Sequence, residues 1–182
     1  DEIFGDTLPK LDPAWRQVTL QHVLAQRAGL PANPGGLRRV WGFVSDAPLP
    51  EQRGKLAAAT LALPPESPPG AKFLYSNVGY ILLGTIVEKI TGRSWEDAMR
   101  ERLFAPLGIE RGGFGPPGTP SRTEQPWGHT HAGKELAPDA HGADNPAFYG
   151  PAGTVHMPVR EWAKFVATHL RGDPANPHHH AE

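Results

Sequence analysis

Pro69-Gly70-Ala71-Lys72-Phe73-Leu74-Tyr75-Ser76-Asn77-Val78-Gly79-Tyr80-Ile81-Leu82-Leu83-Gly84 is the stretch on which the fold is read. From its second half onward, Val78, Ile81, Leu82, Thr85, Ile86 and Ile90 recur at steps of three and four, the spacing of a helix that buries one face. Gly92 follows as a left-handed stop. Pro69-Gly70 marks a turn ahead of it, so Tyr75-Ser76-Asn77 sets a phenol and a carboxamide at the mouth of a helix. A tyrosine acts as a general base only when its pKa is brought down from about 10, usually by a nearby buried ammonium. The Asn77 carboxamide has both donor and acceptor, enough to hold a substrate carbonyl and orient a lysine at once. The plainer reading makes Tyr75 a half-buried aromatic with its hydroxyl in water and Asn77 the N-cap of the helix.

Working outward, Thr19 is expected to cap a helix carrying Leu20, Val23 and Leu24, with Gly29 as its left-handed stop. Residues 31–49 read as a proline- and glycine-rich loop beneath Trp41 and Phe43. A second helix begins near Pro50 and runs from Glu51 to Leu63, ended by Pro64-Pro65. Ser94 and Asp97 form a capping box for a helix through Trp95, Met99, Leu103 and Phe104, closed by Pro106 and Gly108. Residues 112–126 read as loop, and Trp127 to Thr130 with Lys134 to Leu136 as a short hairpin about Gly133. Pro158 opens a last helix bearing Val159, Trp162, Val166 and Leu170 that stops at Gly172. The whole is mainly α with a small β-hairpin, a single domain over residues 1–172 and a flexible tail over 173–182. Trp41, Trp95, Trp127 and Trp162 are expected as core or loop-anchoring aromatics.

At 182 residues the chain is long enough for one real core. Its 18 basic and 19 acidic residues nearly cancel without runs of one sign, so charge attracts neither nucleic acid nor an anionic membrane. Proline, at 21 residues, is about twice its usual share, which shortens helices and lengthens connections. The absence of cysteine excludes disulfides and thiolate metal sites and leaves the compartment open. Asp1-Glu2-Ile3-Phe4 does not read as a signal, and no apolar run reaches a bilayer's span. A metal reading through His129, His131, His141 and the His178-His179-His180 cluster is weakened by the lack of acidic ligands, which makes them surface histidines, the last three tag-like or solvated. No cofactor is implied.

The residues from Pro69 to Gly84 resemble the segment around the Tyr-x-Asn motif of class C β-lactamases, DD-peptidases and related esterases. Val18 to Pro31 is similar to that family's helix ending in His-Thr-Ser-Gly-Leu, with Gln26, Arg27 and Ala28 replacing the His and the hydroxyls while Gly29 stays. Phe104-Ala105-Pro106-Leu107-Gly108-Ile109 and Pro151-Ala152-Gly153 also match in the family's order, so the likeness covers roughly residues 8 to 170. Two elements depart. None of Ser45, Ser67, Ser76, Ser94 or Ser121 has Lys three residues on, so the family's Ser-x-x-Lys nucleophile is missing, and so is its later Lys-Thr-Gly element. His131-Ala132-Gly133 precedes Pro151 and is taken as coincidence.

The resemblance implies the helical region of a β-lactamase/transpeptidase-like fold without most of its α/β sheet region. In such a hydrolase Ser attacks an acyl carbonyl, Tyr moves protons beside lysines, and a backbone oxyanion hole stabilises the intermediate. Tyr75 and Asn77 are then the catalytic contribution of this chain, and Tyr149, in Phe148-Tyr149-Gly150, is a candidate substrate-binding residue at the cleft rim. The implied partner is a small acyl substrate of the intact protein, a β-lactam, D-Ala peptide or ester. The fragment alone is expected to be inactive, and its open cleft face to favour self-association. The resemblance suggests a periplasmic or secreted setting. A non-catalytic binding or structural module of the same fold is the alternative.

Overall fold

The computed structural model describes residues 11–34, 46–140 and 142–171, Arg171 by its backbone only. The chain is mainly α, about 45% helix and 5% strand. It divides into two compact units, residues 1–98 with 145–154 and residues 99–144 with 155–182. The loop anchors Trp41 and Phe43, the stop at Gly172 and the tail at 173–182 lie outside the described residues.

The first unit is built on α1 (Leu20–Leu24), α2 (Leu49–Leu61), α3 (Asn77–Thr91), α4 (Trp95–Met99), whose last residue begins the second unit, and α5 (Gly150–Gly153). Thr19 caps α1 as expected, its hydroxyl accepting the His22 N–H at 3.2 Å. The helix ends sooner than the sequence suggests. Gln26, at φ 58°, is the left-handed residue that closes it, and Gly29, also left-handed at φ 78°, lies three residues beyond. There Arg27 N–H reaches the His22 carbonyl and Gln26 N–H the Val23 carbonyl, the paired bonds of a Schellman motif.

The α3 pattern read from the sequence is the centre of the unit. Val78, Leu82 and Ile86 bury against Trp15, Val23, Leu30 and Leu61, while Ile81 packs with Leu56, Phe148 and Tyr149. Ile90, expected on that face, is 72% exposed at the last turn. Gly84 allows Pro151 of α5 to lie against α3, since a β-carbon there would collide with the proline ring.

Arg53 on α2 is 0% exposed. Its guanidinium donates to Glu88 Oε1 on α3, to Glu96 on α4 and, through Nε, to the Phe148 carbonyl at 3.0 Å. One buried cation thus joins three helices and the turn that carries Tyr149. Glu88 Oε1 also accepts the Trp95 N–H at 3.0 Å, but among the described residues its Oε2 finds no hydrogen-bond partner.

Burial raises the pKa of Glu88, against the lowering effect of the Trp95 N–H and Arg53 and with a small push from Glu96. The folded chain therefore holds this proton more tightly than the unfolded one. The resulting stabilisation is complete below the usual glutamate value and is lost as pH rises through the folded value. Urea unfolding across that window is expected to show stability declining relative to a Glu88→Gln variant, which cannot titrate. Parallel pH profiles for the two proteins would exclude this account.

In the second unit, the helix expected to run on through Phe104 widens into a π turn at Arg100–Phe104, with Ala105 N–H bonding to the Arg100 carbonyl. The segment read as loop contributes β1 (Gly113–Phe114), which pairs antiparallel with β4 (Val155–His156). Two-residue strands leave no alternation to detect. The expected hairpin is present as β2 (Gly128–His129) and β3 (Glu135–Leu136). Trp127 anchors its loop through Nε1 to the Arg122 carbonyl at 2.9 Å. The last helix, α6 (Val159–Arg171), forms as expected after Pro158, but Val159, Trp162, Val166 and Leu170 are all exposed. Trp162 is thus not a core residue. Among the described residues no helix is long and apolar enough to cross a membrane.

Candidate active site

Tyr75, Ser76 and Asn77 lie where an extended segment turns into α3, and Ser76 makes that turn. Its φ of −143° and ψ of 112° are extended, and its hydroxyl accepts the Gly79 N–H at 2.9 Å while donating to the Pro31 carbonyl at 2.6 Å. Ser76, rather than Asn77, is the N-cap. Asn77 becomes the first helical residue, and its carboxamide is released from the capping role that the plainer reading gave it.

That carboxamide joins Tyr75 to a third residue. Asn77 Oδ1 accepts the Tyr75 hydroxyl at 3.2 Å, and Nδ2 donates to Asn33 Oδ1 at 2.8 Å. Asn33 had no signal in the sequence beyond its place in a proline-rich loop. The Asn77 N–H bonds to the Ala32 carbonyl at 2.8 Å, so the loop after Leu30 lies alongside the motif. Tyr75 itself is 59% exposed. A fixed backbone thus carries a phenol that stands open to an approaching molecule.

The left-handed Gln26 holds the other side of the motif. Its carbonyl accepts the Leu74 N–H and its side-chain oxygen accepts the Ser76 N–H, both at 2.8 Å. A non-glycine residue at φ 58° costs about 1 kcal/mol. Arg27 extends the attachment to the preceding turn, donating to the Gly70 carbonyl at 2.6 Å. Gln26 and Arg27, which stand where the resembled motif has its His and its first hydroxyl, therefore fasten the segment that leads to Tyr75.

Tyr149 is placed differently. It is 8% exposed, its ring tilted against Phe148 at a centroid distance of 4.9 Å, and burial pushes its phenol above the usual tyrosine value. Buried so, it supports the core beneath α3. Among the described residues no group of three His, Cys, Asp or Glu side chains could hold a metal ion. His141 and His178-His179-His180 lie outside those residues.

Comparison with known proteins adds family and fold. The family model described as Beta-lactamase matches residues 6–182. Penicillin-binding protein 4 of Amycolatopsis lactamdurans is 50% identical over 46 residues, 25% of this chain and 12% of that protein. A putative D-alanyl-D-alanine carboxypeptidase of Escherichia coli (strain K12) is 32% identical over 97 residues, 53% of this chain and 22% of the relative. Among solved structures, a β-lactamase/D-alanine carboxypeptidase from Pseudomonas syringae superposes with a TM-score of 0.63 at 20% identity, covering 92% of this chain and 44% of that one. A D-stereospecific amidohydrolase from Streptomyces sp. gives 0.61 at 23% identity, covering 86% and 48%. The chain thus spans less than half the length of these proteins.

Proposed function

The chain belongs to the β-lactamase family, and from that premise we propose that it supplies the Tyr75–Asn77 half of a serine-hydrolase site, with the nucleophilic serine coming from sequence outside these 182 residues. The observation that carries this reading is the transfer of the cap to Ser76, which frees the Asn77 carboxamide to hold the exposed Tyr75 hydroxyl. Residues 1–172 then act as one helical region, and the substrate is an acyl compound of the β-lactam, D-Ala peptide or ester type.

In the reaction the serine oxygen bonds to the acyl carbon, and the C–N or C–O bond to the leaving group breaks. Tyr75 relays the serine's proton to that group. Water then attacks the acyl-enzyme, releasing the acid and restoring the serine. Asn77 keeps the phenol aimed and offers its amide to the substrate carbonyl. The burial of Tyr149 weighs against a direct substrate contact.

Ser76 cannot be the nucleophile, because its hydroxyl both donates and accepts in the cap. The 182-residue chain alone is accordingly expected not to turn over nitrocefin or p-nitrophenyl esters above a blank. In a longer protein carrying the Ser-x-x-Lys segment, Tyr75→Phe is expected to lower kcat/KM by about 10²- to 10⁴-fold. The ring remains, so folding is preserved. An unchanged kcat/KM would remove Tyr75 from catalysis and favour a binding or structural role for this region of the protein.

A further inference from the structure

We propose that Gln26 is a positioning residue for Tyr75 and Asn77, a proposal that rests on reading those two as site residues. Non-glycine residues persist in left-handed conformations where their surroundings over-determine them, and such strain gathers near functional sites. Helix termination does not explain the choice of Gln26, because glycine at that position would end α1 with the same backbone bonds and no strain. Its side chain does. The Ser76 N–H is buried, Ser76 being 2% exposed, and a buried backbone donor needs an acceptor. Gln26 Oε1 provides it at 2.8 Å, while the Gln26 carbonyl takes the Leu74 N–H.

The two bonds lie on either side of Tyr75 in the chain: the Ser76 N–H belongs to the peptide plane that follows the Tyr75 Cα, and the Leu74 N–H to the plane one residue before the one that precedes it. Beyond Ser76, the Asn77 N–H is held by Ala32. Gln26 therefore fixes the approach to the motif as Ala32 and Asn33 fix its exit. A side chain at position 26 that could not accept a hydrogen bond would leave the exit secured and the approach loose.

Native-state hydrogen exchange on the 182-residue chain separates this role from a structural one. In Gln26→Gly the relief of strain offsets part of the cost of leaving the Ser76 N–H without its acceptor, so the unfolding midpoint is expected to fall only slightly. The Ser76 amide is expected to exchange about fivefold faster, while that of Ile86 in mid-α3 keeps its rate. Gln26→Glu, which retains an acceptor oxygen, is expected to restore slow exchange at Ser76. Wild-type exchange at Ser76 in Gln26→Gly, or equally fast exchange in both variants, would overturn the proposal. Failure of the catalytic reading shows elsewhere, as unchanged kcat/KM in Tyr75→Phe, and leaves the Ser76 measurement standing.

Discussion

Arg53→Met is expected to destabilise the chain by about 3–5 kcal/mol, enough to leave much of it unfolded at moderate temperature. Methionine nearly matches the volume of the arginine stem, so a cavity is not the cause. The loss comes from Glu88 and Glu96, which would face each other in a buried site without the cation that both contact. The Phe148 carbonyl would lose its donor as well. Urea unfolding of the variant measures the effect. Adding Glu88→Gln and Glu96→Gln to Arg53→Met is expected to recover a large part of it, because the uncompensated charges go. A loss below about 1 kcal/mol in the single variant would show that the pair is not desolvated as the structure describes.

Gly29→Ala is the second large effect, about 2–5 kcal/mol. The residue sits at φ 78°, where an L side chain costs about 1–2 kcal/mol. A β-carbon would also drive into the Ser67 carbonyl oxygen, a backbone atom that cannot swing aside, and overpacking of that kind adds about 1–3 kcal/mol. The Gly29 carbonyl meanwhile accepts the Glu66 N–H, so a shift at residue 29 disturbs the segment leading to Pro69. Gly92→Ala is the control. It has φ 66° but no atom within 4 Å of the added carbon, and it should show the conformational cost alone. Equal thermal shifts in the two variants would discount the close approach.

Much of the fold was legible because its signals are local. The α3 spacing, the Thr19 cap and the hairpin about Gly133 each follow from residues within a few positions of one another. The end of α1 was misread because Gly29 is the better left-handed residue by propensity, while Gln26 is held there by bonds to Leu74 and Ser76, far along the chain. The plainer reading put the cap at Asn77 instead of Ser76 for the same reason. Both residue types cap well, and the Pro31 carbonyl, 45 residues away, decides in favour of Ser76.

Arg53 gave no warning among the alanines of its helix. Glu88 did, since it falls seven residues after Ile81 and three after Thr85, on the face that the apolar pattern assigns to the interior. A carboxylate in that position asks for a buried cation. The stripe on α6 shows the converse limit, because periodicity locates an apolar face and cannot say whether anything in the chain covers it.

The order of the chain adds a kinetic constraint. Residues 145–154 belong with the first unit, yet they follow the 46 residues from Met99 to Asp144, which do not. Arg53 cannot donate to the Phe148 carbonyl, nor Pro151 settle beside Gly84, until the ribosome has passed residue 151. The first unit must therefore wait, with α2 and α3 made and their packing unfinished, while the second is being synthesised. Contacts of such long sequence separation slow folding. During that interval the apolar side chains Leu56 and Ile81 lack Phe148 and Tyr149, which leaves the nascent chain most vulnerable to misassociation until α5 docks.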